Sequence, residues 1–183
     1  MLQSLADVPA GPNGCITVFV TNRTHVVIDV MGYFPEREIV IPHSPSCKAI
    51  KNAIDSAPPE GATIVLSPGT YTCSEPVVLD RDNLTLRGTG PSTILRLANG
   101  ANAPVVVIGQ TQTPPAVRRN IRLSDLTIDG NRQNQTFECY LGPCSAQNPL
   151  RNNGITLRHV EDVVVEKVYA KSARSGGMVT ELV

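Results

Sequence analysis

The chain has 183 residues, of which 17% are charged and 4% aromatic, and it carries 14 glycines and 15 prolines, a low-charge, turn-rich balance that suits a β protein with many bends. Its formal net charge is zero, yet residues 1–80 hold 4 basic and 8 acidic side chains (−4) while residues 81–183 hold 12 basic and 8 acidic (+4), an asymmetry that scattered surface arginines account for first and an anionic partner for the C-terminal part second. No Lys/Arg run marks a nucleic-acid site, and no stretch of about 18 apolar residues is present to span a membrane.

In chain order, Ile16 to Val20 and His25 to Val30 are β-branched runs around Thr21-Asn22-Arg23-Thr24, the pattern of a hairpin with a short polar turn. Asp29, Val30, Gly32, Tyr33 and Phe34 spell D-V-x-G-Y-F. They resemble the end of a recurring bacterial β module of exported or surface proteins, which carries no assigned activity. More strands precede that signature in the family than the fourteen or so residues present here, so residues 1–35 read as part of a module. Residues 36–46, with prolines at 42 and 45, read as a linker.

Next, Ala49, Ile50, Ala53, Ile54 and Ala57 recur at helical spacing and Pro58-Pro59 ends the run, which predicts one amphipathic helix of about ten residues. Only short strands follow. Residues 63–66, 71–73 and 77–79 form a first triplet; 84–87, 94–97 and 105–108 a second; 121–123, 126–128 and 155–157 a third; and 163–165, 168–170 and 178–180 a fourth. A repeat of 20 to 50 residues marks a solenoid, each triplet being one turn, with insertions at 110–119 and 131–153. In the phrase NIRLSDLTIDGNR, residues 120–132, the apolar alternation slips once at Ser124-Asp125, as two strands meeting at a corner require. Aligned turns put Asn83, Asn120 and Asp162 at one corner, where side chains can hydrogen-bond along the axis. The register predicts Ile121, Leu123, Ile128 and Val165 buried, with Arg122, Thr127 and Lys171 exposed.

The phrases G-x-T-I-V-L-x-P-G-x-Y from Gly61 and L-R-G-x-G-x-x-T-x-L from Leu86 resemble the opening coils of the right-handed parallel β-helix of the pectate lyase and polygalacturonase superfamily. The resemblance covers residues 47–183 and implies an all-β fold of about four coils, with Cys47 to Ala57 as the capping helix. It implies the N-terminal part of a carbohydrate-active enzyme acting on an acidic polysaccharide, a lyase or a glycoside hydrolase. The alternative is a non-catalytic carbohydrate-binding or adhesive spike, since this architecture hosts several chemistries. The superfamily's signatures N-T-D, D-D, G-H-G and R-I-K are absent, as is the D-P-H of alginate epimerases, and the chain reaches Val183 inside a strand, as a truncated helix would.

The same register brings Asp125 beside Lys167, Thr127 beside Tyr169 and Asp129 beside Lys171 on an outer face. The bland reading is that these are cross-strand pairs holding neighbouring rungs in register. The functional one takes Asp125, Asp129, Lys171 and Tyr169 as catalytic and Arg122, Thr127, Phe137, Tyr140 and Arg174 as substrate-binding, with Phe137 and Tyr140 stacking on sugar rings from the long insertion. A hydrolase would draw on Asp125, Asp129 and Glu166 as paired carboxyls. A lyase would draw on Asp129, Lys171, Tyr169 and Arg174, with calcium the cofactor implied in that case; no metal ligands are assigned.

Of the five cysteines, Cys47 and Cys73 bracket one unit and Cys139 and Cys144 share the loop CYLGPC, so two disulfides with Cys15 left over are expected. That points to an oxidising compartment, hence a secreted or cell-surface protein. The N-x-T triplets at Asn22, Asn83 and Asn134 are compatible with export, whereas residues 1–10 lack the regions of a signal peptide.

Overall fold

The computed structural model describes residues 37–111, 116–138 and 150–181. The chain divides into two compact units, Met1–Phe34 and Pro35–Val183, and everything described belongs to the second. The expected hairpin and the D-V-x-G-Y-F segment, Cys15, Tyr140, Cys139 and Cys144 lie outside the described residues.

The elements, in order, are β1 (Glu38–Ile41), α1 (Lys48–Asp55), β2 (Ala62–Leu66), β3 (Gly69–Cys73), β4 (Val77–Leu79), β5 (Leu84–Arg87), β6 (Thr93–Leu97), β7 (Val106–Gly109), β8 (Arg118–Asp129), β9 (Ile155–Arg158), β10 (Val160–Lys171) and β11 (Met178–Glu181). All strand pairs among the described residues are parallel. One ladder runs β1, β2, β5, then the first arms of β8 and β10. A second takes β3, β6 and the second arms of β8 and β10, and a third takes β4, β7, β9 and β11. The chain therefore winds past each ladder once per turn, a β-helix-like coil.

Alternation decides what each turn buries, because successive strand residues face opposite sides. Ile64, Leu86, Leu123 and Val165 stack in register, as do Tyr71, Leu95, Ile128 and Ala170. The first three of each column are fully buried and the last only partly. Tyr71 is wholly enclosed; its hydroxyl donates to the Ser67 carbonyl at 2.9 Å and burial pushes its pKa up, so it is a neutral structural residue. Against the lower turns, α1 buries Ile50, Ala53 and Ile54. Arg81 Nη1 donates to the carbonyls of Asp55 (2.9 Å) and Ile54 (3.4 Å) at the helix end, where a cation complements orphan acceptors. A disulfide joins Cys47 to Cys73. No helix among the described residues is long and apolar enough to cross a membrane.

Three expectations need correction. Val165, expected to be buried, is only partly buried, because among the described residues no strand pairs with the far edge of β10. Residues 38–41 are not linker: β1 pairs with β2 from Glu38↔Thr63 to Ile41↔Leu66, and Ile41 is buried. Thr127 is not exposed. It retains 4% of its accessible surface and donates to the Pro91 carbonyl at 3.0 Å, because the turn before β6 covers it. Residues 121–123 and 126–128 also belong to one continuous strand, bent where Asp125 adopts φ 56°. The bend produces the phase slip: Ile121 and Leu123 point inward before it, Leu126 and Ile128 after it.

A column of left-handed residues turns the corner before the first ladder: Gly61 (φ 106°), Asn83 (57°), Asn120 (56°) and Asp162 (54°). Asn and Asp tolerate this region better than other side chains. At Gly61 even a methyl would come within 2.1 Å of the Asn83 carbonyl oxygen. Asn120 Nδ2 donates to Asn83 Oδ1 at 2.9 Å, linking the turns as the aligned sequence suggests. Asn120→Ala is expected to lose about 1–2 kcal/mol of unfolding free energy, through the lost bond and the strained φ, and Asn120→Gly, which keeps the φ, about half of that. Thermal melts of the two variants check this; equal losses would mean that the left-handed corner is not the determinant.

Candidate functional site

The second ladder presents an outer face whose rows are set by register. Thr72, Arg96, Asp129 and Lys171 make one row, and Thr70, Ile94, Thr127 and Tyr169 the next. Asp125 and Lys167 extend it at the bend, with Lys167 Nζ 3.9 Å from Asp125 Oδ1. Lys171 Nζ lies 3.9 Å from Asp129 Oδ2, and Arg96 Nε reaches the same oxygen at 4.0 Å. Asp129 Oδ1 also accepts the Asn131 N–H at 2.9 Å. Asp129 is therefore clasped by an arginine below and a lysine above. Arg96 is the residue that sequence reasoning missed. Its signal was the alternation of TILRL, which sets Arg96 two places beyond Ile94 and in register with Asp129.

Tyr169 stands 65% exposed on this face, between Lys167 and Lys171. Of the candidates, Asp125, Asp129, Lys171 and Tyr169 are thus brought to one surface, with Thr127 beneath it. Arg122 is not. It lies on the first arm of β8, on the other side of the bend, where Nη2 forms an ion pair with Glu166. The first-ladder face is laced with similar pairs, Arg119–Glu161 at 2.7 Å and Arg87–Glu38 at 3.5 Å.

The insertion leaves directly after β8. Buried Asn131 (φ 48°) donates from Nδ2 to the Leu97 carbonyl and to Asn99 Oδ1, each at 2.9 Å. Its Oδ1 accepts from Arg96 Nη2 (3.0 Å) and Asn134 Nδ2 (2.8 Å). All of its amide capacity is used, which fixes the start of the loop on the turn after β6. Phe137, expected to stack on a sugar ring, is 48% exposed, and its N–H donates to Asn102 Oδ1 at 2.9 Å. Arg174 Nη1 donates to the Gln135 carbonyl, so its guanidinium helps to hold the loop. On the third ladder the outward positions Val107 and Thr156 are buried. Asn153, itself buried, donates from Nδ2 to Thr156 Oγ1 at 2.9 Å.

Among the described residues no group of three His, Cys, Asp or Glu side chains can hold a metal ion. The calcium implied for a lyase does not fit the outer face either. Asp125 and Asp129 lie four strand positions apart, about 13 Å between Cα atoms, too far for one ion with oxygen ligands at about 2.3–2.6 Å, and each has an ammonium beside it.

No family model and no curated relative matches the sequence. Among solved structures, the chain is similar to the A-modules of two Azotobacter vinelandii mannuronan C-5 epimerases. For AlgE4 the TM-score is 0.42 with 23% identity over 72% of this chain and 37% of that one. For AlgE6 it is 0.41 with 28% identity over 72% of this chain and 36% of that one. The chain thus spans little more than a third of either module. A likeness at this level carries nothing about activity, and the face itself has to supply it.

Proposed function

We propose that residues 47–183 form about four coils of a right-handed parallel β-helix, capped by α1 and preceded by the end of a small β module. We assign it to a secreted or cell-surface carbohydrate-active protein acting on an acidic polysaccharide. The observation that carries the proposal is the row Lys167, Tyr169, Lys171 along the outermost described turn. It sets an exposed aromatic ring between two ammonium groups, each only loosely engaged by an aspartate at 3.9 Å. Exposed pairs of this kind contribute about 0–1 kcal/mol, so a polymer carboxylate displaces them at small cost, and the ring offers its face to a sugar. The Cys47–Cys73 bond supports export to an oxidising compartment.

If the surface is catalytic, proton abstraction beside a carboxylate fits it better than hydrolysis. Lys171 would neutralise the uronate carboxylate, and the Tyr169 hydroxyl would take up the proton from the adjacent carbon while passing its own to the glycosidic oxygen, whose bond to the ring breaks as the ring double bond forms. The non-catalytic reading has an observation of its own, the clasp on Asp129, which uses that carboxylate to hold rungs together. Incubating the 183-residue chain with polyuronates, with and without calcium, separates these. A product with the ultraviolet absorbance of an unsaturated uronate is the expected result for elimination. New reducing ends without it would overturn elimination in favour of hydrolysis, retention without turnover would leave a binding module, and no retention at low salt would overturn the acidic-polysaccharide reading altogether.

A further inference from the structure

Away from the Lys167, Tyr169, Lys171 row, two clefts adjoin where the end of α1 meets the turn between β4 and β5. One, of about 450 Å³, is polar: Asp55, Pro59, Asp80, Arg81, Asp82 and Arg118 line it. The other, of about 290 Å³, is lined by the apolar side chains of Ile54, Pro76, Val78, Pro104 and Leu150, with exposed Glu75 beside them. Asp55 and Asp80 line both, so the clefts are the polar and apolar halves of one groove. Its size is that of a small-molecule site, about 300–1,000 Å³.

Most charges of the polar half are already used. Asp55 pairs with Lys51 at 3.4 Å, Asp82 Oδ1 accepts the Arg119 N–H at 2.9 Å, and Arg81 Nη1 donates to the carbonyls at the end of α1. Two charges are not used. Among the described residues neither the Asp80 carboxylate nor the Arg118 guanidinium has a hydrogen bond or an ion pair, and Arg118 Nε is buried without an acceptor. Native structures seldom leave a buried donor unmet, and here the unmet group lines a cleft together with an unpaired carboxylate.

The charges specify the ligand. A simple anion is poorly matched, because three carboxylates and two guanidinium groups line the polar half. A zwitterion is matched at both ends. We propose that the groove binds a free α-amino acid with an apolar side chain, its carboxylate on Arg118, its ammonium on Asp80 and its side chain in the half lined by Ile54, Val78 and Leu150. The planar guanidinium suits a carboxylate because its N–H groups can pair with both oxygens. Asp80 lines both halves, so an ammonium resting on it has the carboxylate site to one side and the apolar half to the other. This site is independent of the polysaccharide reading.

Calorimetric titration of the 183-residue chain with L-phenylalanine tests the proposal. Saturable binding of one molecule per chain is expected. It should be about tenfold weaker for N-acetylphenylalanine, which lacks the ammonium, for phenylalaninamide, which lacks the carboxylate, and for glycine, which lacks the side chain. Asp80→Asn should weaken phenylalanine about tenfold and leave N-acetylphenylalanine unchanged, while Arg118→Gln should weaken phenylalanine as much and leave phenylalaninamide unchanged. Loss of fold would weaken every ligand alike, so these paired readings separate a lost contact from a lost structure, and the comparison of ligands on the native chain needs no variant. Absence of phenylalanine binding at millimolar concentrations, equal affinity for the blocked derivatives, or tighter binding of galacturonate that Arg118→Gln abolishes would overturn the proposal.

Discussion

Leu123→Ala is expected to cost about 3 kcal/mol of unfolding free energy, within the range of about 2–5 for buried leucines. Leu123 is fully buried, between Leu86 below and Val165 above. Because a coil packs chiefly against its neighbouring turns, the loss should depend on how tightly those neighbours close. Leu86 has fully buried Ile64 and Leu123 on either side, so Leu86→Ala leaves the more rigid cavity and should cost about 1 kcal/mol more. Arg122→Ala, one residue away but outward and paired with Glu166 at the surface, should cost less than about 1 kcal/mol. Urea unfolding midpoints of the three variants check the order. A Leu123→Ala loss no larger than that of Arg122→Ala would mean that the inward register is wrong.

The Cys47–Cys73 bond is expected to supply a comparable amount. It closes a loop with a sequence separation of 26 and ties the start of α1 to the end of β3, so in the chain-entropy account its loss costs about 3.5 kcal/mol. The enclosed segment contains α1, β2 and most of β3. Cys47→Ala with Cys73→Ala should therefore lower the unfolding midpoint, and reductant should shift the native chain but not the variant. A native chain indifferent to reductant would show that the helix is held by burial of Ile50, Ala53 and Ile54 alone.

Strand order and register were largely legible because a solenoid repeats its own instructions. The apolar pairs at 84/86, 121/123 and 163/165 fall at matched places, and the corner residues Asn83, Asn120 and Asp162 precede each of them. Two features were not legible. Glu38–Ile41 sits among prolines and carries no repeat partner in sequence, so nothing but the free edge of β2 marks it as a strand. Thr127 occupies an outward position that alternation alone marks as exposed, and its burial comes from the Pro91 turn, a contact 36 residues away. The outer face shows the same division. Pairing of Asp125 with Lys167 and of Asp129 with Lys171 follows from register, whereas the exclusion of Arg122 follows from the bend at Asp125, which sends the two arms of β8 to different ladders.

The central claim is that the Lys167, Tyr169, Lys171 row holds an acidic polysaccharide, and calorimetric titration of the chain with a polyuronate oligosaccharide tests it most directly, with the oligomeric state recorded for each variant. The expected result is binding that weakens as salt rises, falls about tenfold in Tyr169→Ala and again in Lys171→Ala, and is absent with a neutral glucan. Equal affinity in the native chain and both variants, or equal affinity for the neutral polymer, would contradict it.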